Sequence, residues 1–252
     1  MLNNAENFLI ALLAVAASVL FMAILNRLWP RERRFEHNDL IGWQLGILGT
    51  TYAVILGFML YTVWTNYGAA EQNVDLEATS LRNIYRLAEG LPEPQHARIQ
   101  VLCRIYADTV IKKDWPQMAV DQVPAESHEI NNTMWKTLMS VKSESPTQTI
   151  AEDHALFELS QLTEHRHTRL LESAFRIPVV LWFVLVIGAV VTIASASMFG
   201  SANLPLHAIQ VIFFSLLVSL VLLAIADINR PFQGAVHVSS YAFQRAQEAM
   251  ID

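Results

Sequence analysis

The stretch Ile41–Trp64, which reads IGWQLGILGTTYAVILGFMLYTVW, contains no charged side chain. It is long enough to cross a bilayer, because a hydrocarbon core of about 30 Å needs about 20 helical residues at 1.5 Å each. Three other apolar runs of similar length lie at Phe8–Leu28, Ile177–Phe199 and Pro205–Ile228. Their only formal charges, Arg27 and Asp227, are near the run ends, where they can reach water. The sequence therefore predicts a polytopic membrane protein with four transmembrane helices.

The distribution of charge divides the chain further. The whole chain is 53% hydrophobic and only 16% charged, which is too apolar for an ordinary soluble domain. The segment Asn66–Phe175 holds ten Lys/Arg against sixteen Asp/Glu, and this acidic balance argues against nucleic acid as a partner. We expect a transmembrane hairpin at 1–65, an extramembrane helical insert at 66–175, a second transmembrane hairpin at 176–230 and a C-terminal tail at 231–252.

Apolar residues at spacings of three and four predict that the insert is all-α. Its first helix, Asn73–Glu89, contains no Gly or Pro, and only Gly68 separates it from the second transmembrane run, so the two can form one rod. Further helices are expected from about Ile99 to just before Trp115, from about Ala125 to Val141, and from Pro146 towards the third run. The only stretch considered as a strand is Ala235–Val238.

The second transmembrane helix has two different faces. One face carries the small residues Gly42, Gly46, Gly49, Ala53 and Gly57, whose spacing places them within a sector of about 80°. Small residues let helix backbones approach closely, so these are candidate helix-packing positions. The opposite face carries the pore-lining candidates Thr51, Val54, Phe58, Thr62 and Thr65.

Two interpretations of this second face remain open. Hydroxyl groups at both ends with an apolar centre suit a water-filled path that has an apolar constriction. Alternatively, the threonines bond back to carbonyls of their own helix and Phe58 faces lipid.

Four segments give the chain a resemblance, over nearly its whole length, to the bacterial bestrophin-like domain family of unknown function. They are Tyr52–Phe58 (YAVILGF), Leu81–Leu87 (LRNIYRL) leading to Gly90-Leu-Pro92, Arg176–Trp182 (RIPVVLW), and the most distinctive, Asp227–Ser239 (DINRPFQGAVHVS). The resemblance implies a multi-pass protein of the bacterial inner membrane. It also implies a homo-oligomer, a pentamer, that passes inorganic ions through a pore lined by the second transmembrane helix. Val54, Phe58 and Thr62 would then form an apolar neck.

The motif at the end of the fourth run has a structural interpretation. Pro231 is expected to end the helix, Phe232 to lie at the membrane interface, and Gly234 to permit a tight turn. Arg230 is expected to face the negative end of the helix dipole and can pair with Asp227, one turn earlier. We interpret this motif as a helix stop that redirects the tail, in preference to a ligand site.

Catalytic and metal-binding patterns are weak. The sequence has no Gly-rich phosphate loop, nucleophile elbow or His-Glu-x-x-His motif, so we expect neither an enzyme nor a cofactor. The pairs Glu93/His96 and Glu164/His167 have the Glu-x-x-His spacing of di-iron bundles but lack the further carboxylates, so no metal is expected. The resemblance to bestrophins raises calcium gating, because animal bestrophins carry a run of acidic, calcium-binding residues after the fourth helix. The tail Val236–Asp252 has only Glu248 and Asp252, so calcium gating is not expected here.

Three functions are compatible with these features. The favoured one is an oligomeric ion channel, and the alternative is a non-conducting membrane scaffold or sensor whose insert binds a partner. A secondary transporter is disfavoured, because the four runs carry no ionisable residue at mid-bilayer. The side of the membrane that holds the insert stays open. The basic loop 26–40 places the insert outside by the positive-inside rule, whereas a bestrophin-like architecture places it in the cytosol.

Overall fold

A computed structural model describes residues 4–250, and in this range the chain is helical and has no strand. The helices are α1 (Asn4–Leu28), α2 (Arg31–Phe35), α3 (Asn38–Leu87), α4 (Gln95–Thr109), α5 (Trp115–Met118), α6 (Glu126–Leu138), α7 (Pro146–Ala174), α8 (Val179–Ser197), α9 (Leu204–Ile228) and α10 (Tyr241–Glu248). The predicted all-α fold is confirmed. The strand considered at Ala235–Val238 is not formed, since these residues make a turn in which the Val238 N–H donates to the Pro231 carbonyl at 2.7 Å.

Within the described residues, four helices are long and apolar enough to cross a membrane. They span Glu6–Leu28, Asn38–Gly90, Val179–Ser197 and Leu204–Ile228. Each coincides with one of the predicted apolar runs, so the prediction of four transmembrane helices is confirmed. Most of their large apolar side chains are exposed in the single chain, as contact with lipid requires.

The second transmembrane helix and the first helix of the insert form one continuous helix, as predicted. This helix, α3, has 50 residues and is therefore about 75 Å long at 1.5 Å per residue. Gly68 lies inside it without a break, because a single glycine costs a helix only about 1 kcal/mol relative to alanine. The rod ends in a 3₁₀ turn, Ala88–Gly90, which Pro92 follows.

The described residues form two compact units. The membrane unit contains the residues up to Thr65 together with Arg176–Asn229, and the insert unit contains Asn66–Phe175 together with the residues from Arg230 onwards. In the membrane unit α1 packs along α9 and α8. Tyr52 fixes α3 against α8, because its hydroxyl donates to the Leu185 carbonyl at 2.9 Å. Its ring lies so close to Gly188 that a Cβ there would be 2.5 Å from a ring carbon.

The loop between α1 and α3 is more ordered than its basic composition suggests. It contains the short helix α2, whose Arg34 is fully buried. The Arg34 guanidinium donates to the Ser197 carbonyl at 3.1 Å and to the Asn26 side chain. Asn38 exchanges two hydrogen bonds with Gly200, at 2.8 and 2.9 Å. These contacts tie the ends of α1, α3 and α8 together.

The insert unit has its own apolar core, formed by the C-terminal part of α3 with α4, α6, α7 and α10. The tail forms part of this core, because Phe243, Ala246 and Met250 of the C-terminal segment are buried in it. The Trp115 ring packs against two aromatic rings of the tail. Its centroid lies 5.7 Å from that of Phe232 and 5.8 Å from that of Phe243. The prediction that Phe232 lies at the membrane interface was wrong, since burial against Trp115 removes its ring from solvent and lipid alike.

The prediction that the second insert helix ends before Trp115 was also wrong. A π-helical turn, Val110–Asp114, follows α4, and α5 continues from it through Pro116. Pro116 has no N–H to donate, and the π-helical turn before it, whose bonds span five residues instead of four, interrupts the regular α-helical pattern just where the proline enters. The third insert helix is shorter than predicted, since α6 ends at Leu138 and not at Val141.

Candidate functional site

The pore-lining candidates lie on the side of α3 that faces away from the rest of the membrane unit. Tyr52 and Val63 are buried against the rest of the membrane unit, whereas Val54 is 52% and Phe58 69% exposed. The hydroxyls of Thr62 and Thr65 bond to carbonyls one turn earlier, those of Phe58 at 2.8 Å and of Tyr61 at 3.0 Å. Their side chains therefore lie close to the helix, as one of the two interpretations expected, and the Phe58 ring projects beyond them.

Thr51 is exposed and also lines an open groove of about 440 Å³ between α3 and α8, together with Phe183 and Ile187. At about 100° per residue it lies between Phe58 and Thr62 around the helix, so it belongs to the same side of α3 as the other four candidates.

The small-residue face of α3 is largely open within one chain. At Gly46, Gly49 and Gly57 an added Cβ would meet no other atom of the described residues within 4 Å, and at Gly42 it would lie 3.5 Å from the Phe199 ring. Gly49, Ala53 and Gly57 line a groove of about 310 Å³ against α9. Their predicted role in close helix packing thus stays a prediction, and it requires a helix from outside this chain.

The motif after α9 anchors the tail to α5. Gly234 has φ 85°, in the left-handed region that favours glycine. Gln233 donates from Nε2 to the Met118 carbonyl at 3.1 Å and to Asp121 Oδ1 at 2.7 Å, and it accepts from Arg230 Nη1 at 3.2 Å. The turn that Pro231 begins therefore directs the tail into the insert unit, and the pairing of Asp227 with Arg230 stays a prediction.

A buried ionic cluster that the sequence analysis did not find lies inside the insert unit. Arg169 of α7 and Glu77 of α3 are fully buried, and they form two hydrogen bonds at 2.7 and 3.0 Å. A second carboxylate, Asp114, accepts from Arg169 Nη2 at 3.0 Å. The guanidinium also lies over the Trp115 ring, 5.3 Å from its centroid.

Neutral and cationic side chains complete this cluster. The Tyr106 hydroxyl donates to Glu77 Oε1 at 2.6 Å, and the Ser127 hydroxyl donates to Asp114 Oδ2 at 2.7 Å. Arg166 in turn donates from Nε to the Ser127 hydroxyl at 2.9 Å. Arg169 thus bonds to both buried carboxylates, while Arg166 reaches Asp114 only through the Ser127 hydroxyl. The π-helical turn ends at Asp114 and so contributes this carboxylate to the cluster.

The cluster changes the proton affinity of its members. Burial lowers the pKa of Arg169, but the carboxylates of Glu77 and Asp114 outweigh it, so the net effect raises this pKa. Burial, followed by the Glu77 charge, raises the pKa of Tyr106 well above its usual value. Both groups therefore keep their protons, so Arg169 stays a cation and Tyr106 stays a hydrogen-bond donor across the physiological pH range.

The structure offers little for a metal ion. Among residues 4–250, no group of three or more His, Cys, Asp or Glu side chains is placed to hold one. The Glu93 and His96 side chains contact each other at 3.2 Å, on the surface.

Glu172, in the last turn of α7, is the carboxyl whose environment favours the neutral form. Its Oε2 is buried and has no hydrogen-bond partner among the described residues, and burial raises the pKa of Glu172 to about 7. Because this value lies above that of the unfolded chain, Glu172 stabilises the fold fully below a pH of about 4.5. The contribution is lost as the pH rises through about 7.

We expect Glu172→Gln to be more stable than the wild type at pH 8 by about 1 kcal/mol and to lose less stability between pH 5 and pH 8. The full shift corresponds to roughly 3 kcal/mol at 1.36 kcal/mol per pKa unit, and we discount it because the group is only half-buried. Thermal unfolding of the purified protein at both pH values measures the difference. Glu164→Gln, at an exposed position of the same helix, is the control. Equal pH dependence in the two variants would contradict the prediction.

Comparison with known proteins supports the fold. The chain is similar to a bacterial bestrophin homologue from Klebsiella pneumoniae, with TM-score 0.71 and 13% identity over 96% of this chain and 97% of the other. A single-residue variant of that homologue gives TM-score 0.73 and 12% identity over 96% and 99% of the two chains. No curated protein matches significantly. The family model of the Bestrophin-like domain matches residues 12–243, nearly the whole chain. With this match and the four-span helical fold, the chain belongs to the bestrophin-like domain family.

Proposed function

We propose that the protein is an oligomeric ion channel in which the outer side of α3 lines the conduit. The observation that carries this proposal is the exposure of Phe58 and Val54, two large apolar side chains of a membrane-spanning helix that point away from their own subunit. Around a shared axis, such side chains form a narrow apolar constriction, with the threonines beyond them on a wetter surface. Membership of the bestrophin-like family and the likeness to bestrophin homologues favour ion conduction over catalysis.

The conduit requires more than one copy. Four membrane-spanning helices are too few to enclose a path, so permeation implies a closed symmetric ring. The open faces of α3 suit this arrangement, because the small residues Gly46, Gly49 and Gly57 leave space for a neighbouring helix to approach. We propose five copies, as the resemblance implies, in the bacterial inner membrane.

The alternative is a non-conducting membrane scaffold or sensor. The observation that favours it is the insert unit, which has a core of its own and a docked tail and so presents a rigid surface to a partner. In that case Phe58 contacts lipid only, and the hydroxyl groups of Thr62 and Thr65 are satisfied by their own helix.

Native mass measurement and planar-bilayer recording of the same purified sample test the proposal. We expect a ring-sized oligomer, five-fold in mass, and discrete currents in symmetric potassium chloride. A monomer or dimer in lipid discs, or a pentamer that never conducts, would contradict the channel and favour the scaffold.

A further inference from the structure

Two neighbouring loops of the insert unit expose apolar side chains. One loop joins α5 to α6 (residues 119–125), and the other leads from the end of α9 to α10 (residues 230–240). Gln233 joins the two loops through its hydrogen bonds to the Met118 carbonyl and to Asp121 Oδ1. Three large apolar residues of these loops are exposed, namely Val120, Val123 and Val236. Apolar side chains grouped in this way are typical of an interaction surface.

The composition of the first loop also favours an apolar neighbour. Residues 119–125 read AVDQVPA and include no Lys, Arg, Glu or His. The one charged side chain, Asp121, accepts the hydrogen bond from Gln233 at 2.7 Å. Loops in open solvent are usually richer in charge, because charged side chains are the ones that remain most exposed in soluble proteins. The loop therefore suits the boundary between water and an apolar medium.

The covalent chain keeps these loops beside the membrane. Ile228 is the last residue of the membrane-spanning helix α9, and Gln233 follows five residues later. Five residues extend to at most about 18 Å, and here they begin a turn in which the Val238 N–H donates to the Pro231 carbonyl. The loops are therefore within reach of the lipid headgroups at this end of α9. Arg230, exposed at the start of the turn, is a cation suited to the phosphates of those headgroups.

We propose that the two loops attach the insert unit to the bilayer surface, with Val120, Val123 and Val236 in contact with lipid at the level of the headgroups. The depth of this contact is limited, because loop backbone carries N–H and C=O groups that cannot enter the hydrocarbon without partners. The partner is the lipid surface itself, since the contact is mainly apolar. It is independent of ion conduction.

Fluorescence quenching in lipid discs tests this contact on the full-length protein. Val120→Cys and Val123→Cys are each labelled with the fluorophore nitrobenzoxadiazole, and the native Cys103 is fully buried and should remain unlabelled. The discs contain phosphatidylcholine with or without a nitroxide group near the top of the acyl chain. We expect the nitroxide lipid to remove most of the fluorescence at both positions, whereas iodide in the buffer removes little.

Met139→Cys is the matched control. Met139 is 71% exposed, close to the 78% of Val123, and it belongs to the same unit. The carbonyl of the next residue, Ser140, accepts from Gln95 Nε2 at 3.4 Å, shortly after the end of α3. The part of α3 in this unit begins at Asn66 and is about 33 Å long at 1.5 Å per residue, so Met139 lies towards the end opposite to Asn66. A label there should be quenched by iodide and not by the nitroxide lipid.

Two results would overturn the proposed contact. If iodide quenches the labels at 120 and 123 as it does at 139, the loops lie in water. If neither iodide nor the nitroxide lipid quenches them, the loops are covered by protein, either a second copy of the chain or another partner. All three positions are exposed, so the variants should keep the fold, and size-exclusion chromatography checks this. Ion conduction is not the readout, so failure here leaves the proposed conduit untouched.

Discussion

Replacing Arg169 with methionine is expected to lower the free energy of unfolding by about 3–5 kcal/mol. The substitution keeps most of the side-chain volume but leaves the Glu77 and Asp114 carboxylates buried in an apolar core without their shared cation. Thermal or denaturant unfolding of the purified protein, followed by tryptophan fluorescence, measures the loss. Trp115, one of six tryptophans in the chain, lies beside Arg169 and contributes to this signal.

An exposed ion pair of the same unit provides the matched control. Lys112 pairs with Asp108 at 2.6 Å on the surface of the insert unit, and Lys112→Met should cost at most about 1 kcal/mol. Adding Glu77→Gln to Arg169→Met removes one of the two uncompensated charges, so it should restore part of the lost stability. Equal losses in Arg169→Met and Lys112→Met would show that the buried cluster contributes no more than a surface pair.

The second large effect is expected at the apolar constriction. Under the proposed function, Phe58→Ala removes a ring from the narrowest part of the conduit and lowers the cost of wetting it. We therefore expect the current through single channels in planar bilayers to rise several-fold relative to wild type, with no change in oligomer mass. The hydroxyl groups of Thr62 and Thr65 remain in place, so the wider path stays hydrated on that side.

Phe213→Ala is the control for this experiment. Phe213 lies on α9, another membrane-spanning helix, and it is 66% exposed, close to the 69% of Phe58. The same loss of volume at a lipid-facing position should leave the current unchanged. If both variants conduct as the wild type does, Phe58 does not line the narrowest part of the conduit, and the proposed constriction is wrong. If none of the three proteins conducts, the scaffold becomes the better explanation.

Residue patterns were sufficient to predict the membrane helices and the continuity of α3. Both depend on local properties, namely the length of an uncharged run and the absence of Gly-Pro breaks between Asn73 and Glu89. The exposure of the pore-lining candidates also follows the helical period. The proposed conduit cannot be derived in this way, because it would be formed between separate copies of the chain, and one sequence does not show how copies meet.

The buried cluster and the docked tail depend on contacts between distant residues. Glu77 and Arg169 are 92 positions apart, and neither residue by itself shows in the sequence that it is buried and paired. A partial signal was present, since Glu77 follows Val74 and precedes Leu81 on the apolar stripe of its helix. A charge on such a stripe needs a buried partner, but the sequence does not say which. The prediction for Phe232 was wrong for the same reason. Its packing partner, Trp115, is distant in the chain, so the sequence does not show that the two rings meet.

Because α3 is one unbroken helix, it restricts which insertions and deletions the sequence can accept. A one-residue insertion between Ala70 and Glu77 would rotate every later side chain of the helix by about 100° relative to the earlier ones. Glu77 would then turn away from Arg169 while Ala70 kept its place in the core of the same unit. Insertions and deletions in this helix are therefore tolerated only in steps of about seven residues, two full turns, which restore the angular register. Natural variation in length should accordingly accumulate in the connecting loops.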